Sequence, residues 1–135
     1  MTARGQASVA AAVAAIVIAT TVWLARNGTS DGGTTLRGGT SRHDVSVVLA
    51  AATVGTRVVD IEVSEPAGVT AVRLEPAMTE MGHAYAPLTA APVDKRNGRF
   101  RAEVRLDMPG RWELTVVVDD GAGTERVALP LTVTG

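Results

Sequence analysis

Cysteine is absent from the 135 residues. That excludes disulfide staples, thiolate metal sites, cysteine nucleophiles and lipidation on cysteine, and with the last of these a bacterial lipoprotein. Aromatics are few: Trp23, Tyr85, Phe100 and Trp112. An excess of charge of either sign is also missing. The formal net charge of -1 gives no electrostatic case for a nucleic-acid partner. No G-x-S-x-G motif and no metal-ligand helix occurs. The two histidines, His43 and His83, lie far apart, so no general acid–base pair is legible and an enzyme is not expected.

What is present begins with an apolar N-terminus. Arg4 precedes an uncharged stretch over residues 5–25, and Arg26 closes it. Within it, Ala7 to Leu24 is near the lower limit of length for spanning a bilayer, and Trp23 sits at the outer end, where an interfacial ring belongs. Residues 1–26 therefore read as a membrane anchor or a signal segment. A signal peptide wants small residues at −1 and −3 after its apolar run. The run ends instead in Thr21-Val22-Trp23-Leu24-Ala25-Arg26, which favours an uncleaved single-pass transmembrane helix. The expected location is the cytoplasmic membrane, with the rest of the chain outside the cytoplasm; if the segment is cleaved, the protein is secreted.

Residues 27–43 are rich in Gly, Ser and Thr and read as a flexible linker. Random-coil scaling gives such a segment a reach of roughly 20–25 Å. His43 at its end reads as an incidental polar residue.

From residue 44 to 135 the pattern is β. Val45 to Ala51 is a short apolar run. Arg57 to Ser64 and Val69 to Leu74 alternate. Arg99 to Leu106 is the clearest case: Phe100, Ala102, Val104 and Leu106 alternate with Arg99, Arg101, Glu103 and Arg105, as in a half-buried antiparallel strand. Arg111 to Val118 and Thr124 to Thr134 repeat the pattern. Pro130, inside the last of these, demands an edge or a bulge. Between the strands stand turn residues: Glu65-Pro-Ala-Gly68, Asn97-Gly98, Pro109-Gly110 and Asp119-Asp-Gly-Ala-Gly123. The fold class is all-β: an immunoglobulin-like antiparallel β-sandwich of about seven strands. Trp112 reads as a core plug, and the Asp119-Asp120 pair as turn chemistry before a calcium ligand.

The least strand-like interval runs from Pro76 to Arg99. It opens with EPAMTEMGHAY, which places Met78, Met81 and His83 close together. In extended backbone Met81 and His83 share a face. Met78 joins them if the chain turns at Thr79-Glu80. Met108, at the tip LDMPGRW, shares an end of the sandwich with them if the loops cluster there. Thioether sulfur is soft, neutral and needs no deprotonation, so this donor set favours copper, specifically Cu(I), and imidazole tolerates Cu(II) as well. Zinc is a poorer match without cysteine. The plain alternative is that Met78 and Met81 fill the end of a core, as methionine often does, and that His83 is a solvated loop histidine.

The segments EPAMTEMGHAYAP and NGRFRAEVRLDMPGRWELTVVV resemble the YtkA-like and FixH-like domain family over about residues 44–134. Met81-Gly82-His83 and Met108-Pro109-Gly110-Arg111-Trp112 are the most characteristic pieces. The resemblance implies a small exported or membrane-anchored β-sandwich associated with copper handling or oxidase assembly. It carries the family's Met-and-His segment onto Met78, Met81 and His83, although the first gap is two residues instead of one. The expected partners are thus the membrane, through residues 5–25, and a copper-handling or oxidase membrane protein. The competing expectation is a non-catalytic interaction module of a membrane complex serving oxidase assembly or cation transport.

Overall fold

The computed structural model describes residues 33–135. The expected N-terminal anchor lies outside them. Among the described residues no helix is long and apolar enough to cross a membrane.

Ten antiparallel strands form two sheets. In chain order they are β1 (Thr34–Gly39), β2 (Asp44–Leu49), β3 (Gly55–Val63), β4 (Val69–Met78), β5 (His83–Ala84), β6 (Leu88–Thr89), β7 (Ala91–Asp94), β8 (Arg99–Leu106), β9 (Gly110–Asp120) and β10 (Gly123–Val133). The first sheet has the order β1-β2-β3-β8-β7. The second has the order β10-β9-β4-β5, with β6 also paired to β4. One apolar core lies between the sheets. Its periodicity is that of the sequence: β8 alternates exposed and buried residues along its whole length, because successive side chains leave a strand on opposite faces. The largest fully buried side chains include Leu49, Ile61, Leu74, Leu106 and Leu114. Trp112 is buried among them, as expected. Pro130 lies in β10, an edge strand, where a missing backbone donor costs no ladder bond.

Two boundaries differ from the sequence reading. Thr34–Gly39, within the expected linker, is strand β1. It pairs with β2 in continuous register from Thr34↔Leu49 to Gly39↔Asp44. Leu36 packs on the core, and Gly38 lets β1 come close to β10: a Cβ at Gly38 would lie 2.7 Å from methyls of Leu129 and Val127. The glycine that suggested flexibility is there to permit close packing. The second difference is at β4, which does not stop at Leu74. It continues the inward row Val72, Leu74, Pro76, Met78 before a 3-10 turn at Thr79–Met81.

The registers give the sandwich two ends. One gathers the end of β4, the start of β5, the β8–β9 turn and the end of β10. The other gathers the β1–β2 turn, the end of β3 and the β9–β10 turn. Strand β9 runs from one to the other, about 35 Å at strand rise.

Candidate functional site

At the first end, β4 and β5 pair Ala77 with Ala84 and Met78 with His83. Residues directly opposite in an antiparallel pair project to the same side of the sheet, so the sulfur-bearing and imidazole-bearing residues of this pair share a face. Their surroundings differ. Met78 is 3% exposed and belongs to the core, because it ends the inward row of β4. Its Cε methyl lies against Gly110, where an added Cβ would be 3.0 Å away. His83 is exposed.

Met81 occupies the 3-10 turn and is 54% exposed. Gly82 follows with φ 65, a left-handed conformation. The strand parity expected to bring Met81 and His83 onto one face therefore does not apply; the residue facing His83 is Met78. Met108 stands on the neighbouring β8–β9 turn, half-buried and packed against the core. The Trp112 indole N–H donates to the Met108 carbonyl at 2.9 Å. Tyr85, two residues beyond His83, stacks on Trp112 with ring centroids 5.0 Å apart, and its hydroxyl donates to Asp107 at 2.9 Å. That bond raises the Tyr85 phenol above its ordinary range. Two aromatic rings and two hydrogen bonds thus join the β4–β5 hairpin, which carries Met78 and His83, to the β8–β9 turn, which carries Met108. Across the tip, Arg111 and Glu80 form a solvent-exposed ion pair at 3.4 Å, a contact of small energetic weight.

The opposite end holds a polar cluster that sequence reasoning missed. His43, expected to be incidental, is 4% exposed. Its Nδ1 lies 2.8 Å from the Ser64 carbonyl oxygen, and its Nε2 lies 2.8 Å from Asp120 Oδ2. Arg42 reaches Asp120 at 3.1 Å and Glu125 at 2.9 Å, although the Glu125 oxygen on that contact lies off the hydrogen-bond line. Ser41 donates its backbone N–H to Glu125 at 2.9 Å. The Asp120 bond raises the His43 imidazole above its usual value, against the opposing effect of burial. The same bond lowers the Asp120 carboxyl. The Ser41 hydroxyl lowers that of Glu125.

One donor atom from each of His43, Asp120 and Glu125 falls within 4.8 Å of the others. The arrangement is nevertheless that of an ion-pair network. Both imidazole nitrogens face oxygen acceptors at hydrogen-bond distance, and a guanidinium already stands between the carboxylates. The only sequence signal for it was Asp119-Asp120, read as turn chemistry; Asp120 does accept the Ala122 N–H at 2.7 Å.

No family model and no curated protein matches the chain. A solved structure of an engineered protein is similar over 64% of this chain and 19% of that one, at 19% identity and a TM-score of 0.49. A likeness so distant carries no argument about function.

Proposed function

We propose that this chain is an exported copper-binding or copper-delivery domain, tethered to the outer face of the cytoplasmic membrane through residues 5–25, that holds Cu(I) at the end formed by the β4–β5 hairpin and the β8–β9 turn between the sheets. The observation that carries this reading is the placement of Met81 and His83. They stand exposed on the β4–β5 hairpin, at the end of the sandwich where the β8–β9 turn bears Met108. Thioether and imidazole donors in reach of solvent fit a soft monovalent ion and allow its transfer to a partner. Met108, half-buried, is the third donor of the proposal. Met78 supports the site from beneath, since its sulfur belongs to the core. The resemblance to YtkA-like and FixH-like domains supports the same reading. The strand order, β2-β3-β8-β7 against β10-β9-β4, follows the ABED and GFC order of immunoglobulin-like sandwiches and bears on the fold alone.

The test is a Cu(I) titration of the purified chain under reducing conditions, read by thermal melting. A ligand bound by the native state alone raises the melting temperature. The Met81→Leu, His83→Gln double variant should lose the shift while keeping the wild-type melting temperature without copper. Stoichiometric Cu(I) binding retained by that variant would sink the assignment.

A second reading, the non-catalytic interaction module of a membrane complex, is favoured by the outer face of the first sheet. Val48, Val58 and Val93 are 39%, 47% and 55% exposed there, and Val48 and Val93 line one shallow groove with Asp60 and Arg101. No melting shift with Cu(I), together with loss of complex formation on Val48→Ser and Val93→Ser substitution, would select it.

A further inference from the structure

We propose that His43 is a proton-operated latch: in its protonated form it clasps the β1–β2 hairpin of one sheet to the β9–β10 hairpin of the other, and its deprotonation loosens the first hairpin. The inference is independent of copper and concerns the opposite end of the molecule.

The argument starts from hydrogen-bond capacity. A neutral imidazole has one N–H and one lone pair. Here both nitrogens meet acceptors at 2.8 Å, the Ser64 carbonyl at the end of β3 and the Asp120 carboxylate at the end of β9. Neither acceptor can donate, apart from a protonated Asp120, and the His43 contact, the Ala122 N–H and the Arg42 charge together hold that carboxyl in its charged form. Only imidazolium satisfies both contacts. When the proton leaves, one nitrogen lone pair faces an oxygen lone pair in a place that water scarcely reaches, and a buried polar contact is lost.

The surrounding charges agree. From β9, Asp120 faces the ring; from β10, Glu125 adds a more distant negative charge. Glu65, after β3, lines the same cleft. Arg42, on the His43 turn, is engaged by Asp120 and Glu125. Hydrogen bonds and ion pairs to these carboxylates tie the turn Thr40–His43 to the second sheet: Ser41 and Arg42 to Glu125, Arg42 and His43 to Asp120. The hairpin held this way is the first of the described elements.

Two measurements on the purified full chain test the latch. The first is the NMR titration of the ring nitrogens. His43 should keep protons on both nitrogens above its ordinary value of about 6.5. The second is amide hydrogen exchange, corrected for the intrinsic rate. Protection of the β1 amides should fall as the ring loses its proton. The protection of β8 should not follow it. His43→Gln should abolish this pH dependence. If that variant does not fold, the wild-type ring titration still decides. Deprotonation of His43 at or below about pH 6.5, β1 protection indifferent to the ring's charge, an unchanged pH dependence in His43→Gln, or stoichiometric Zn²⁺ binding that displaces both ring protons would each overturn the proposal.

Discussion

Met78 and His83 are register partners across β4 and β5, yet one is sealed in the core and the other stands in water. A shared face does not mean a shared environment at the edge of a sheet, because the core ends between them. The two residues should therefore respond to different experiments. Met78→Ala is expected to cost about 2–4 kcal/mol by cavity formation. Met78→Leu conserves volume and should cost less than about 1.5 kcal/mol, with Cu(I) affinity unchanged. His83→Gln should leave stability alone and weaken Cu(I) binding. Denaturant unfolding and copper titration of the same three variants separate these outcomes; loss of copper in Met78→Leu alone would make the buried sulfur a ligand.

Two glycines should differ sharply in their tolerance of alanine. Gly98 has φ 72, and a Cβ there would sit inside the van der Waals shell of the Val63 carbonyl oxygen. That oxygen belongs to backbone that cannot move without breaking the Val63–Gly98 bond at 2.8 Å. Gly98→Ala should cost more than about 2 kcal/mol. At Gly38 the obstacles are side-chain methyls, which can rotate away, so Gly38→Ala should cost about 1 kcal/mol, at the lower end of overpacking. Equal midpoints in urea for the two variants would contradict this account.

The chain has a single tyrosine, so the phenolate absorbance reports one group. Hydrogen bonding to Asp107 favours the neutral phenol. Tyr85 should ionise above its ordinary value of about 10, and Asp107→Asn should bring the midpoint down. An identical midpoint in the variant would show that the hydroxyl does not donate to Asp107 in solution.

Stability should be greatest in weakly acidic solution. His43 has a raised pKa in the folded state, so its contribution is complete below about pH 6.5 and is lost as pH rises through the raised value. Asp120 and Glu125 have lowered values. Their contributions are present above about pH 4 to 4.5 and are lost as pH falls through the lowered values. Asp120→Asn removes the partner common to His43 and Arg42 and should flatten both limbs. Denaturant midpoints across that pH range measure it, and a wild-type optimum on the alkaline side would reverse the sign argued here.

Much of the sandwich was written in period-two alternation. Arg99 to Leu106 and Arg111 to Val118 could be read directly, because each strand is buried on one face and the pattern survives in a single sequence. The limits of that reading have physical causes. At Pro76 the proline suggested a break, but the inward parity runs through it to Met78; following that row would have placed the methionine in the core. At Thr34–Gly39 the composition resembled a linker, and no local signal shows that Gly38 faces Leu129 and Val127 across the gap between sheets.

The sequence by itself determined the strand periods, the turn positions, the absence of thiol chemistry and the gathering of Met78, Met81 and His83 on one hairpin, since all of these depend on neighbours in the chain. Only the tertiary structure decided which of those donors meet water and where His43 ends up. His43 and Asp120 belong to different sheets and are distant in the chain; their 2.8 Å contact exists because two hairpin turns close over the same end of a sandwich. Burial and long-range pairing are set by what packs opposite a residue, and no spacing along one strand encodes that.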